Sequence, residues 1–378
     1  MLEAAQTVVW SDTAHLQDES HAQVPGSPLP LMAVKLAPIQ ALRAYAAIMV
    51  VINHLWRNGE LASTMGFDNI GGFGVYIFFV ISGFIISYSL ADKIDRFDNF
   101  LFLKKRMLRI FPMYLLVYSV FCLLYLHSVI VHGKEIDLSL LIENALLLPS
   151  FTGDANYRML VYPAWTLVYE MLFYYVFFIM ISISKNKTKA IILTTLAIVL
   201  DIFAMQFFHL QGPKLGWANF TYITGDPLML YFVSGCVLYL AWAKWGGKTP
   251  FNLLTALAAF IVLTVISFTA PRTGYFQLLR FLIPTAIVAI HLFSDYGHGR
   301  VVEFIVFLGA ASFSIYLFHP LIYETIVRVS WLSHLHGDLF GLVSVMAGIL
   351  LGCLVYIFIE KPMNHFLLRR PTRRPVAA

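Results

Sequence analysis

The sequence predicts an all-α fold, a polytopic membrane helical bundle of about ten transmembrane helices with both termini cytoplasmic. Three observations carry this expectation. Of 378 residues, 59% are hydrophobic and only 12% charged, with a mean hydropathy of +0.76, whereas soluble proteins carry roughly 25% charged residues. Apolar stretches of about 20 residues recur along the chain, and at ~1.5 Å per residue each can cross a hydrocarbon layer of roughly 30 Å. Basic residues fall between those stretches: with the amino terminus placed inside, eighteen Lys and Arg lie on the cytoplasmic side and seven outside, with Arg43 within the first stretch. That asymmetry is the one that orients helical membrane proteins.

In chain order, residues 1–34 are polar and punctuated by VPGSPLP, without the charged-then-apolar order of a cleaved leader. They are expected to form a disordered cytoplasmic tail. A membrane domain follows over 35–365, and a basic cytoplasmic tail over 366–378. Within the domain the candidate spans lie near 38–56, 71–91, 111–132, 164–184, 190–208, 227–243, 252–270, 279–294, 304–325 and 339–359. The longest outer connection, 133–163, contains LLIENALLLPSF, too short to cross and suited to an interfacial or re-entrant piece. The stretch GGFGVYIFFVISGFIIS has glycines spaced for close helix packing; it is not a nucleotide loop, because it does not join a strand to a helix in a soluble domain.

A net charge of +5 and a pI near 9.0 do not point to nucleic acid, because the basic residues are topological, and the implied partner is the lipid bilayer. Cys122, Cys236 and Cys353 all fall in apolar stretches, where a thiol acts as a small hydrophobe. No metal is expected, since the histidines are scattered over different spans.

An ionisable side chain within a bilayer is costly unless paired or facing a wet cavity, so the few present mark chemistry. Arg43 and His54 are eleven residues apart, which returns a helix to within about 20° of its starting direction and separates them by roughly 16 Å. They share one face and can line one tunnel; an Arg that snorkels inward and a His bonded at the outer interface fit the spacing as well. Arg106 and Arg109, at i and i+3, point the same way from a helix entering the membrane and can bind phosphates bidentately, or can be topogenic. Glu170, about two turns into the fourth span, needs a partner: it can orient an imidazole, hold a hydroxyl, or pair with an outer Arg such as Arg158. Trp165, Tyr169, Tyr174 and Tyr175 form an interfacial belt or a sugar-stacking surface. His319 precedes Pro320, which is expected to kink the ninth span, and Glu324 is its candidate partner.

Taken in order, these residues resemble the acyltransferase family three membrane proteins. The resemblance covers about residues 36–365 and rests on R-x10-H at Arg43 and His54, GVxIFFVISGF at Gly74 to Phe84, and R-x-x-R at Arg106 and Arg109. It continues through WTLxxE at Trp165 to Glu170, the SxYLFHP stretch at Ser314 to Pro320, and EKP at Glu360 to Pro362. Within the family the chain is most similar to bacterial exopolysaccharide acetyltransferases of the ExoZ type. The resemblance implies a multi-pass protein of the bacterial inner membrane that moves an acyl group, usually acetyl, from cytoplasmic acyl-CoA to a hydroxyl of an extracytoplasmic glycan or lipid-linked sugar. It implies that His54 is catalytic, that Arg43 lies on the donor path, and that Arg106 and Arg109 hold the donor phosphates. Glu170 is expected to assist His54, and Trp165, Tyr169 and His319 to contact the acceptor. The polar tail and the lack of an SGNH-type hydrolase domain after the last span depart from many relatives, so transfer is expected to finish in the membrane core or on a separate partner. A secondary transporter or flippase for a glycan also suits buried charges among many spans, although such proteins place polar groups at mid-membrane on broken helices.

Overall fold

The structure, a computed structural model, describes residues 37–57, 59–90, 99–154, 156–184, 186–245, 250–269, 275–328 and 337–367. The tail expected over 1–34 and residues 368–378 of the basic tail lie outside the described residues.

The protein is an all-α membrane helical bundle. Helix α1 (Ala37–Leu55) leads through the short α2 (Glu60–Met65) into α3 (Phe67–Ser89) and the long α4 (Asn99–His132). The connection expected to be interfacial carries α5 (Leu138–Ala145), capped by Asp137, whose side chain accepts from Leu140 N. Leu138 and Ile142 on α5 are exposed, as is Phe151 beyond it, which fits an interfacial element. A 3₁₀ turn at Tyr162–Ala164 opens α6 (Trp165–Ser184), followed by α7 (Lys187–Phe207), the single-turn α8 (Phe220–Ile223) and α9 (Met229–Trp245). Next come α10 (Leu253–Thr269), α11 (Tyr275–Leu292), α12 (Arg300–Ala310), α13 (Ser312–Phe318) and α14 (Pro320–Arg328). The last stretch is α15 (Gly337–Val355), a π turn at Tyr356–Glu360, and α16 (Lys361–Leu367). Named strands among the described residues are two residues each, Phe251–Asn252 beside Ser294–Asp295.

Helix runs through each of the ten apolar stretches. By length and hydropathy five helices can cross a membrane, Asn69–Ser89, Asn99–His132, Tyr162–Ser184, Lys187–Phe207 and Gly337–Leu367, and six if α12 and α13–α14 count as one broken span. Met229–Trp245, Leu253–Thr269 and Leu278–Leu292 are shorter apolar helices. A run of apolar residues reports hydrophobic content, not the length of unbroken helix, so the count of about ten rests on sequence alone. The ninth stretch bends by 49° at Ala311. The sharp bend therefore precedes Pro320, where the kink was expected; at Pro320 the helix restarts after His319.

The core is built around α1 and α3. α1 packs on α3 and α12 through small buried residues such as Ala44, Ala46 and Ala47, and α3 packs on α9. A Cβ at Gly83 would overlap the Phe232 carbonyl, and one at Gly235 would overlap the Val80 carbonyl. The α3 and α9 backbones thus touch, the close packing that the glycine spacing predicts. Around the outside, Leu123, Phe203, Leu254 and Leu350 are more than half exposed, as expected of a surface solvated by lipid.

Candidate active site

Two cavities lie toward opposite ends of α1 and α3. The first, about 130 Å³, is lined by Arg43, Arg106, Arg109, Glu170, Tyr174 and Ser89 among others. The second, about 760 Å³, is lined by His54, Arg57, Tyr162, Trp165, Lys214, Trp217, Asp226 and Arg280 among others. Val75 and Tyr316 belong to both linings. Arg43 and His54 therefore open onto adjoining chambers with a common wall, where spacing alone allowed one tunnel. Helix α1 supplies both by its period, with eleven residues between them.

In the arginine cavity, Arg106 is buried, donates to Ser89 Oγ at 2.7 Å and stands 5.5 Å and 5.7 Å from the Phe102 and Tyr174 ring centroids. Arg43 has Arg109, Glu360 and Glu170 as its charged neighbours. Glu360, from the EKP motif on the π turn, is buried and accepts from Ser314 Oγ at 2.5 Å. The structure thus brings Arg43, Arg106 and Arg109 together, and with them Glu170. Tyr174, one turn after Glu170 on α6, donates its hydroxyl to that carboxylate. Glu170 lines this cavity and is absent from the lining of the His54 chamber.

The partner of His54 comes from elsewhere. His54 Nδ1 lies 2.7 Å from His319 Nε2, the rings stacked at 5.0 Å and 13°, and His319 Nδ1 lies 3.2 Å from the Ile315 carbonyl. A carbonyl oxygen only accepts, so His319 Nδ1 carries a proton. In a neutral His319 its Nε2 then accepts from His54 Nδ1–H, which makes Nε2 of His54 the free basic nitrogen. His319 is fully buried while His54 is half-buried and borders the chamber. His319 was expected to contact the acceptor and instead backs the imidazole. Tyr162 packs edge-on against the His54 ring at 5.1 Å.

Trp165 lines the chamber, its ring centroid 4.9 Å from that of Trp217. Tyr169 is fully buried, its hydroxyl donating to Asp226 Oδ2 at 2.8 Å, so it reaches the chamber through that carboxylate. The residues that sequence reasoning missed come from the connection before α9 and from α11: Lys214, Trp217, Asp226 and Arg280. That connection is fixed by Ser150, whose N donates to the Ala218 carbonyl and whose carbonyl accepts from Phe220 N, both at 2.8 Å. Burial pushes the Lys214 ammonium down and nearby Asp226 pulls it partly back. The Tyr222 hydroxyl is pushed up to about 12 by burial and by Asp226. The clue in the sequence was Lys214 three positions before Trp217 in the connection between two apolar stretches.

The model of the acyltransferase domain family matches residues 37–358. The chain belongs to this acyltransferase family. Among relatives of this acyltransferase, the exopolysaccharide production protein ExoZ of Rhizobium meliloti is 27% identical over 82% of this chain and 93% of its own length. The O-acetyltransferase OatA of Staphylococcus aureus is 26% identical over 87% of this chain, which spans 57% of that protein's length. The putative peptidoglycan O-acetyltransferase YrhL of Bacillus subtilis is 26% identical over 89% of this chain and 56% of its own length. No solved structure matches the acyltransferase. Among the described residues no group of three or more metal-ligating side chains comes together.

Proposed function

We propose that this acyltransferase is a multi-pass protein of the bacterial inner membrane, with residues 35–365 as its working domain, that transfers an acetyl group from cytoplasmic acetyl-CoA to a hydroxyl of an extracytoplasmic glycan. The arginine cavity is the donor side. Three guanidiniums around one cavity suit phosphate oxyanions, which planar Arg forks bind bidentately. The positive-inside pattern puts this end of α1 toward the cytoplasm. The His54 chamber is the acceptor side.

His54 Nε2 takes the proton of the acceptor hydroxyl as its oxygen attacks the thioester carbonyl; the carbon–sulfur bond breaks, and the departing thiolate takes the proton back from His54. His319 holds His54 in the tautomer with Nε2 free. Tyr316 stands where donor and acceptor sides meet, its hydroxyl bonded to the Pro163 carbonyl and to Thr166 Oγ1, each at 2.7 Å.

The observation that carries the reading is the His54–His319 hydrogen bond, because it gives a base a defined tautomer at the edge of a large chamber. The relatives' names support the acetyl group and the glycan. The test is acetyl transfer by the purified protein in lipid nanodiscs, supplied with acetyl-CoA and glycan, with His54→Ala as the comparison. A correctly inserted His54→Ala protein with undiminished transfer overturns the assignment. In cells, a deletion strain should retain its polymer and lose the acetyl esters; lost export would instead favour a transporter.

A further inference from the structure

We infer that the acceptor taken by the His54 chamber is an acidic glycan, a saccharide carrying a carboxylate next to the hydroxyl that is acylated. The inference rests on reading that chamber as the acceptor side and names the class of substrate it takes. Three cationic side chains line the chamber, Arg57, Lys214 and Arg280, against one carboxylate among the described lining residues, Asp226. Asp226 is already engaged and buried: Oδ2 accepts from the Tyr169 hydroxyl at 2.8 Å and Oδ1 from Leu228 N at 3.0 Å. Among the described residues the two guanidiniums are tethered to backbone, Arg57 Nε donating to Asn53 O at 3.2 Å and Arg280 Nε to Ser267 O at 2.6 Å. Tethered through Nε, each keeps its terminal amino groups for a planar carboxylate, the group that an Arg fork recognises best.

Two indoles line the same chamber, Trp165 and Trp217. Trp217 pairs with Trp165, and Lys214 Nζ lies 2.8 Å from the Trp217 ring centroid, so cation and aromatic surface are presented together. The backbone is strained to do it at Trp217, which is left-handed with φ of 62°, whereas Gly216 before it takes φ of 56° without cost. A bulky residue adopts that conformation only where its surroundings over-determine it, and such strain concentrates at ligand sites. A neutral sugar needs the indole faces but not the excess positive charge; an acidic sugar uses both.

The experiment is equilibrium binding to the full chain in nanodiscs, with no acetyl-CoA present, read by tryptophan fluorescence. The probes are a galacturonic acid trisaccharide and its methyl ester, which keeps the same sugar rings and removes the negative charge. The acid should bind at least about tenfold tighter, the worth of one charge-assisted hydrogen bond, with a preference that shrinks as salt rises. Lys214→Gln or Arg280→Gln should abolish most of the preference, and Lys214→Arg should keep it. Equal binding of acid and ester, no binding of the acid, or an undiminished preference in both charge-removing variants overturns the inference. Should either variant fail to insert, Arg57→Gln takes its place. Acid binding without acetyl transfer from acetyl-CoA would count against the proposed reaction and leave this inference standing. Transfer to neutral glycans alone would do the reverse.

Discussion

His54 Nδ1 and His319 Nε2 are 2.7 Å apart although 265 positions separate them in the chain, and the second ring is anchored in turn to the Ile315 carbonyl. On the proposed mechanism His319 is a positioning residue for the base. A general base of this kind contributes about 10²- to 10⁴-fold, so His54→Ala should reduce kcat by that much. His319→Ala should lower kcat less, with the KM for acetyl-CoA little changed, and should alter the pH profile of kcat. A general loss of structure would instead degrade both constants together. Initial rates over a pH series separate the two.

Arg106 is buried against Ser89 and faces the cavity that also holds Arg43 and Arg109. Arg106→Ala should raise the KM for acetyl-CoA by roughly tenfold or more, the value of a charge-assisted bond to phosphate. Arg106→Lys should recover only part, because an ammonium lacks the planar fork. Steady-state rates at varied acetyl-CoA decide it; unchanged donor dependence would make the pair topogenic only.

Tyr316 divides the cavities and fixes its ring through Pro163 and Thr166. Tyr316→Ala should join the chambers and admit water to the donor, raising the release of CoA in the absence of glycan. Tyr316→Phe keeps the ring and loses the two bonds. It should leave that background low while costing about 1–3 kcal/mol of stability, readable as a lower melting temperature.

Asp137 lies outside the spans as the cap of α5, and its carboxylate is held below the usual carboxylate range, first by the Leu140 backbone N–H and then by the Ser139 hydroxyl. A carboxyl whose folded value is depressed stabilises the fold fully above its unfolded value of about 3.9 and loses that contribution as pH falls through the folded value. Hydrogen exchange of residues 138–145, corrected for intrinsic rates, should show the α5 helix opening across that acid window. Asp137→Asn should flatten the dependence and keep the cap, while Asp137→Ala should cost about 1 kcal/mol at neutral pH.

Helical periodicity carries information only along one element, and that sets what was legible before the structure. Arg43 with His54 on α1, and Arg106 with Arg109 on α4, are pairs that a 3.6-residue repeat reveals, and both pairs do line cavities. The partner of His54 was not of that kind. Glu170 was the expected orienter because a carboxylate inside an apolar helix demands a role, yet its face of α6 is shared with Tyr174 and looks onto the arginines. His319 could be singled out by its setting before Pro320, but no local pattern joins α13 to α1. Lys214, Trp217 and Asp226 were missed because they sit between helices, where no repeat distinguishes a loop that lines a chamber from one that does not. The number of crossings rests on hydropathy for a related reason: hydrophobicity is additive along the chain, whereas an unbroken helix ends at a single bend such as the one at Ala311.

Val75 and Tyr316 each border both cavities. On the proposed topology, the barrier between two aqueous compartments is at that point no longer a lipid leaflet but the width of a side chain. A reaction conducted there would need to carry only two carbons past it, with neither the nucleotide nor the polymer leaving its own side, and the cell could decorate an external sugar without ever opening a pore.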